Sequence, residues 1–416
     1  MTATTKPIRV GVVGIGRGQS FARAATDQVG LKLVALCDTW ETRLREVGRQ
    51  YGVATYTDYD AYLAHDLDAV VLANYFHEHA PLAIKALRAG RHVMSETAAC
   101  KTLAEGVALC RAVAASGRIY MLAENYPFTK FNLELRRLYR AGEIGRVLYA
   151  EGEYNHPMSP ATLFELSPGL NHWRNWLPAT YYCTHALAPL VYITDTQPVA
   201  VNGLAVAAPE VKPSVWRGDP TGVMLVRMDN GAVFRIFGLI TPGHSCWWRL
   251  HGTAGAMEST RGPGYFGPEG VRVWHEAWQT ADGQASDRVW QPDWPEHGDL
   301  ANAGGHGGGD FWTNLLFAEA IRSGHQPFLD VYRAVAMSVV GVQGWKSALA
   351  NGAPFVVPDF RDEAARRPHE NDHWSPFPAD AGPGQPPCAI SGTGEPATAD
   401  VAAARAVWAR QGSPAA

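Results

Sequence analysis

The chain has no CxxC pair, no basic excess and no apolar run long enough to span a bilayer. Its six cysteines, Cys37, Cys100, Cys110, Cys183, Cys246 and Cys388, lie far apart, which fits neither a disulfide framework nor a zinc site. Reduced thiols are expected. Lys and Arg number 36 against 40 Asp and Glu, so no surplus of positive charge is available to hold a phosphate backbone, and no nucleic-acid partner is expected. The longest apolar runs, LDAVVLA and AVFRIFGLI, are strand-sized, well short of the roughly 20 residues that a membrane span needs. The start, MTATTKPIRV, offers one Lys and no apolar stretch before VGVVG, so no secretory leader is readable and a cytoplasmic location is expected. There is no internal repeat.

What is there falls into three stretches. From residue 8 to about 125, short apolar runs (IRVGVVG, KLVALCD, DAVVLA, HVMSE, IYMLAE) alternate with amphipathic ones. That alternation predicts βαβ units and a doubly wound parallel sheet, giving an α/β Rossmann domain over 1–125. FTKFNLELRRLYRAGEIG then reads as a helix closed by glycine, and after it VLYAEGEYN, VAVNGLAVA, TGVMLVRMD, GAVFRIFGLI, CWWRLHG and GVRVWHE predict an open, mainly antiparallel sheet within a substrate-binding domain over 126–363. Residues 364–416 are rich in Pro, Gly and Ala and read as a C-terminal arm, whether linker, cover for a neighbouring subunit or loose segment. The broad sheet leads us to expect a homo-oligomer, dimer or tetramer.

In VGVVGIGRGQSFARAA a strand runs through glycines into a helix, the context in which a Gly-rich turn holds a dinucleotide. The turn Gly14-Ile15-Gly16-Arg17 can bring backbone N–H groups to a pyrophosphate at a helix N-terminus. The third glycine of GxGxxG is displaced: position 19 is Gln19, and Gly18 stands one place early. Asp38 closes the second strand where a carboxylate binds ribose hydroxyls and repels a 2′-phosphate, which favours NAD over NADP, although Arg43 could meet a phosphate.

The segment ANYFHEHAPLAIKALRAGRHVMSETAAC resembles the glucose-fructose oxidoreductase and inositol dehydrogenase family (Gfo/Idh/MocA). The resemblance implies cofactor contacts from Asn74, His79 and Glu96. Thr97 and Ala98 stand where the family carries Lys-Pro, and that lysine is its usual proton-transfer group. YYCTHALAPLVYITD departs too, with Tyr181 where simple family dehydrogenases have Asp. It resembles instead the Y-x-T-H-x-L-x-P signature of the NAD-dependent glycosidase branch, matched by Tyr182, Thr184, His185 and Pro189. MLAEN (Glu124, Asn125), EGEYNH (Tyr154, His156), HGGGD (His306, Asp310) and DVYRAVAMS follow in the same order, so the resemblance covers residues 8 to about 360.

That branch implies a redox-neutral hydrolysis: NAD+ takes hydride from C3 of a pyranoside, the C2 proton becomes acidic, the C1 aglycone leaves, water adds and the hydride returns. Each proton-transfer group in such a cycle is typically worth ~10²- to 10⁴-fold. His185, with an ordinary pKa near ~6.5, suits the C3 hydroxyl. Tyr154 is the candidate base at C2; a tyrosine starts near ~10 and so needs a nearby positive charge. Glu124 and Tyr182 are candidates for positioning or proton transfer, and Asn125 for the cofactor. The bland alternatives are that Tyr154 is a cross-strand aromatic and that Tyr182 only stacks. His77, His79 and His306 lack a further ligand at a recognisable spacing, so no metal is read. His306 is expected to line the substrate pocket and Asp310 to cap the next helix.

For the substrate, NHWRNW and CWWRLHG set Trp173 beside Arg174 and Trp248 beside Arg249, a combination suited to a sugar face with an anionic group, and Lys130 and His156 are further candidates. The alternative is that these tryptophans pack the sheet and the arginines are solvated. A sulfoquinovoside is favoured slightly over an N-acetylhexosaminide. An NAD-dependent sugar dehydrogenase and a non-catalytic NAD or sugar sensor are the rival functions.

Overall fold

The apolar runs of the first 125 residues close into a six-stranded parallel sheet of β1 (Ile8–Val13), β2 (Leu31–Cys37), β3 (Ala54–Tyr56), β4 (Ala69–Leu72), β5 (His92–Ser95) and β6 (Tyr120–Leu122), in the order β3-β2-β1-β4-β5-β6. The strand order reverses between β1 and β4, and in open α/β sheets ligands bind outside the carboxyl ends of the strands at such a point. The computed structural model describes residues 6–26, 28–240, 243, 246–262 and 270–413. Val10, Val12, Ala69, Val70, Leu72, Val93 and Met94 are inaccessible to solvent, as both faces of a parallel sheet should be.

The first compact unit takes in residues 1–125, 299–335 and 360–373, and the second residues 126–298, 336–359 and 374–416. A boundary after residue 125 was expected, but the contiguous span 126–363 does not hold together as one body. Tyr120 N donates to Gln326 Oε1, Leu122 N to Leu329 O and Ala104 N to Asp372 O. The later segment thereby covers the edge of β6, whose backbone groups would otherwise stand unpaired in a way that composition cannot signal.

In the second unit β7 (Val147–Asn155), β8 (Pro198–Val206), β9 (Thr221–Met228), β10 (Val233–Leu239), β11 (Cys246–Gly252), β12 (Ala256–Ser259), β13 (Val271–His275), β14 (Ser286–Trp290) and β15 (Phe355–Val356) form one sheet, in the order β14-β13-β12-β11-β7-β10-β9-β8-β15. β7 and β10 run parallel and the other neighbours antiparallel. The helices Lys130–Arg140 and Thr184–Thr194 lie on one face. Gly152 lets the second of these in: a Cβ there would stand 2.1 Å from Ala186 O.

The other face carries a charge ladder. Arg235, Glu151, Arg249, Glu258 and Arg272 are successive cross-strand partners over β10, β7, β11, β12 and β13, so opposite charges meet at each step. The ion pairs run Arg235–Glu151 at 2.7 Å, Arg249–Glu258 at 3.9 Å and Arg272–Glu258 at 3.7 Å.

The C-terminal arm is neither loose nor a linker. Its helix Thr398–Arg410 buries Ala404, Val407 and Trp408 against Phe164 and Val215, and Trp408 Nε1 donates to Phe164 O at 2.9 Å. Asp400 accepts from both N and Oγ of Ser214. Three apolar residues at i, i+3 and i+4 in an Ala-rich helix provide the contact, a pattern that the surrounding Pro and Gly mask.

Candidate functional site

Two sets of chemistry-bearing side chains form, one in each unit. In the first, β1 ends in the Gly14–Arg17 turn. Gly14 has φ +91°, and a Cβ there would lie 2.5 Å from Ala73 O, so only glycine serves. A Cβ on Gly16 would meet nothing within 4 Å, leaving that stretch of backbone open to a close-approaching ligand. Gly18 resolves the displaced fingerprint. A Cβ there would come within 2.7 Å of Val12 Cγ1, so it performs the helix–strand packing role of the third glycine. Gln19 turns back to donate to Ile15 O at 2.7 Å.

Asp38 stands just beyond β2, accepting from Ile15 N at 2.9 Å and Trp40 N at 2.8 Å. Each carboxylate oxygen keeps a second lone pair for a ribose hydroxyl. Arg43 lies over the Trp40 ring, 5.4 Å from its centroid. These residues fit NAD: an open glycine turn at a helix N-terminus, with a carboxylate that repels a 2′-phosphate.

Beyond β4, Asn74 donates to Glu78, and buried His79 ties two turns together, with Nδ1 3.0 Å from Ala98 O and Nε2 3.3 Å from Asn74 O. Burial lowers the His79 pKa, and both ring nitrogens face backbone carbonyl oxygens. Glu96, directly after β5, accepts from Arg17 Nε at 2.6 Å and from Thr97 N at 3.0 Å. Glu124, fully buried, and Asn125 follow β6.

Asp310 overturns its expected role. The N-cap of the helix Gly309–Ser323 is Gly308, and Asp310 lies inside the first turn. Its carboxylate accepts from Arg17 Nη1 and Nη2 at 3.1 and 2.7 Å and from Asn125 Nδ2 at 3.1 Å, with His306 Nδ1 at 2.8 Å. Burial opposes its ionisation, yet the hydrogen bonds from His306 and Arg17 and the guanidinium charge hold it well below the usual carboxylate range. The glycine run makes this possible, because a Cβ on Gly309 would lie 2.4 Å from Asn125 O.

In the second unit three tyrosines surround His185. Ring centroids lie 4.5 Å away for Tyr154, 4.8 Å for Tyr182 and 4.9 Å for Tyr126. β7 presents Tyr154, and His185 is the second residue of the helix that Gly152 admits. Trp248 floors the group, 5.8 Å from Tyr126, with its Nε1 donating to Ala186 O at 3.1 Å. His156 lies 6.0 Å from Tyr154, and Trp173 6.3 Å from Tyr182. Arg174 lies 4.4 Å from the Trp173 ring and 5.7 Å from that of Tyr182. Lys130 opens its helix, half-buried.

Arg249 is a correction. Trp248 pairs with Gly152 and Cys246 with Tyr154 on the helix-covered face, which sends Arg249 to the opposite face and into the glutamate ladder. Strand alternation was sufficient to separate Trp248 from Arg249. Tyr126 was missed; the signal for it is its place directly after Glu124-Asn125, both already candidates. Tyr181 is buried against Phe377, and Tyr182 is the one that meets His185.

Two family models match the chain: an oxidoreductase family with an NAD-binding Rossmann fold over residues 8–124, and the C-terminal domain of glycosyl hydrolase 109 over residues 209–365. Proteins named glycosyl hydrolase family 109 protein match along its length. One from Solibacter usitatus is 25% identical and one from Saccharopolyspora erythraea 27%, over 85% and 89% of this chain and 88% and 87% of theirs. Levoglucosan dehydrogenase in complex with NADH and L-sorbose superposes with a TM-score of 0.72 at 22% identity, covering 85% of this chain and all of that one, which bears on the fold. With both family models in sequence order, and relatives aligned through both units, the chain carries an NAD-binding Rossmann domain of the Gfo/Idh/MocA oxidoreductase family, with NAD as its cofactor, followed by the C-terminal domain of glycosyl hydrolase 109.

Proposed function

We propose that the chain is a redox-neutral NAD-dependent glycosidase acting on a pyranoside. The observation that carries this reading is His185 ringed by Tyr154, Tyr182 and Tyr126 in the second unit, in a chain that also matches the glycosyl hydrolase 109 C-terminal domain over residues 209–365. NAD supplies the hydride acceptor and donor. His185 takes the proton of the C3 hydroxyl, Tyr154 removes the proton at C2, and Tyr182 and Glu124 position or relay protons. Thr97, where a dehydrogenase of this family would carry its lysine, supports moving proton transfer to the tyrosine and histidine group.

For the sugar, the basic contribution now rests on Arg174, stacked on Trp173 and close to Tyr182, since Arg249 lies on the other sheet face. A cation over an aromatic face supports an anionic sugar, a sulfoquinovoside ahead of an N-acetylhexosaminide. The test is a panel of aryl glycosides, sulfoquinovoside and N-acetylhexosaminides in both anomers, following aglycone and NADH together. Aglycone release without NADH accumulation is expected. NADH rising with the glycosidic bond intact would make the chain a sugar dehydrogenase, and tight NAD binding without turnover a sensor.

The same reading includes a homo-oligomer, dimer or tetramer, through the open sheet face. Leu204, Val206 and Leu225 lie together there, 47 to 59% exposed, a contiguous apolar edge beside the charge ladder. Sedimentation of the wild type and Leu204→Asp should show an assembly that dissociates in the variant. A wild-type monomer at micromolar concentration would refute it.

A further inference from the structure

We infer that the cluster of Arg17, Glu96, Asp310 and His306 biases the protein toward the oxidised form of its cofactor. All four residues, and Asn125 with them, belong to the first unit. Arg17 bridges Glu96 at 2.6 Å and Asp310 at 2.7 Å. One guanidinium, which stays protonated, stands against two carboxylates, so the cluster carries a net charge of −1 while His306 is neutral and none when it is protonated. The excess charge is poorly screened: the Asp310 and Glu96 side chains are 1% and 11% exposed.

Its position in the topology gives that charge a target. Arg17 follows β1, Glu96 follows β5 and Asn125 follows β6, all on the carboxyl rim of the parallel sheet. Asp38, the adenosine-ribose carboxylate, follows β2, across the β1–β4 reversal from Glu96 and Asn125. A dinucleotide held at Asp38 and crossing the Gly14–Arg17 turn therefore directs its nicotinamide toward the half of the rim where the cluster stands. The oxidised nicotinamide ring carries one positive charge and the reduced ring none, so a net-negative site favours the oxidised ring. In the redox-neutral reading, on which this consequence rests, each cycle must begin from that form and return to it.

The test needs no substrate. The full-length protein is equilibrated with equimolar NAD+ and NADH, and the ratio of the two bound forms is read after separation from free cofactor. Asp310→Asn moves the cluster charge from −1 to 0 and should lower the bound NAD+:NADH ratio about tenfold, the scale of one unit charge acting across a partly screened interior. Arg17→Gln, read at a pH high enough to keep both carboxylates ionised without the guanidinium, moves it from −1 to −2 and should raise the ratio. Glu96→Gln substitutes for Asp310→Asn, with the same expected direction, should that variant fail to fold. Opposite displacements support the inference, since general damage to the site weakens both forms alike, and any other pattern overturns it. The competition reads cofactor preference alone, so its failure is distinct from failure of the glycoside panel.

Discussion

His185→Ala is expected to lose ~10²- to 10⁴-fold or more in turnover, the range for removal of one proton-transfer group, while the protein still binds NAD. Every residue that we assign to the cofactor, from Gly14 through Asp38 and Glu96 to Asn125, lies in the first unit, and His185 in the second. Its imidazole is within ring contact of three tyrosines, so the truncation also leaves a gap among packed aromatics and some stability will be lost. His185→Gln, which fills more of that space but cannot exchange a proton near neutral pH, controls for the gap. The measurement pairs turnover with cofactor stoichiometry. Both variants should be inactive and fully loaded. Near-normal hydrolysis by either would remove His185 from the chemistry.

The sequence made the parallel sheet and its glycine turn readable because alternation of apolar runs and a strand–glycine–helix junction are local properties. The displaced third glycine shows how far local reading reaches. Gly18 satisfies the same steric demand as a glycine at position 19, because the demand is set by its distance to Val12 rather than by motif spacing. His185, Tyr154 and Tyr182 were legible through resemblance alone, as nothing in their spacing shows that β7 and the helix Thr184–Thr194 bring them together.

What stayed hidden was non-local. Asp310 has the residue type and position of a helix cap, and only the fold supplies Arg17, from the other end of the chain, to claim its carboxylate. Tyr126 joins His185 through tertiary packing. Arg249 is the opposite lesson: its orientation follows from period-two alternation along CWWRLHG, and adjacency in sequence to a site tryptophan counted for more than it should. The Pro- and Gly-rich tail contained a packed helix because three anchoring side chains suffice where Val215 and Phe164 offer a complementary surface.

Tyr154→Phe should separate the two proton transfers. The substitution keeps the ring, and with it the contacts at 4.5 Å to His185 and 5.4 Å to Tyr126, and deletes only the hydroxyl. If that oxygen is the base at C2, aglycone release falls by ~10²- to 10⁴-fold, while the earlier step, served by His185 at the C3 hydroxyl, still proceeds. Mixing the NAD-loaded variant with glycoside should then give reduced-nicotinamide absorbance approaching one equivalent per chain, with no aglycone freed. His185→Ala under the same conditions should give neither signal. If Tyr154→Phe also gives neither, the tyrosine acts in the C3 step together with His185, and the two roles assigned here merge. If it releases aglycone within a few-fold of wild type, the ring is packing, and the C2 base is next sought at Tyr182 or Tyr126, whose rings also contact His185.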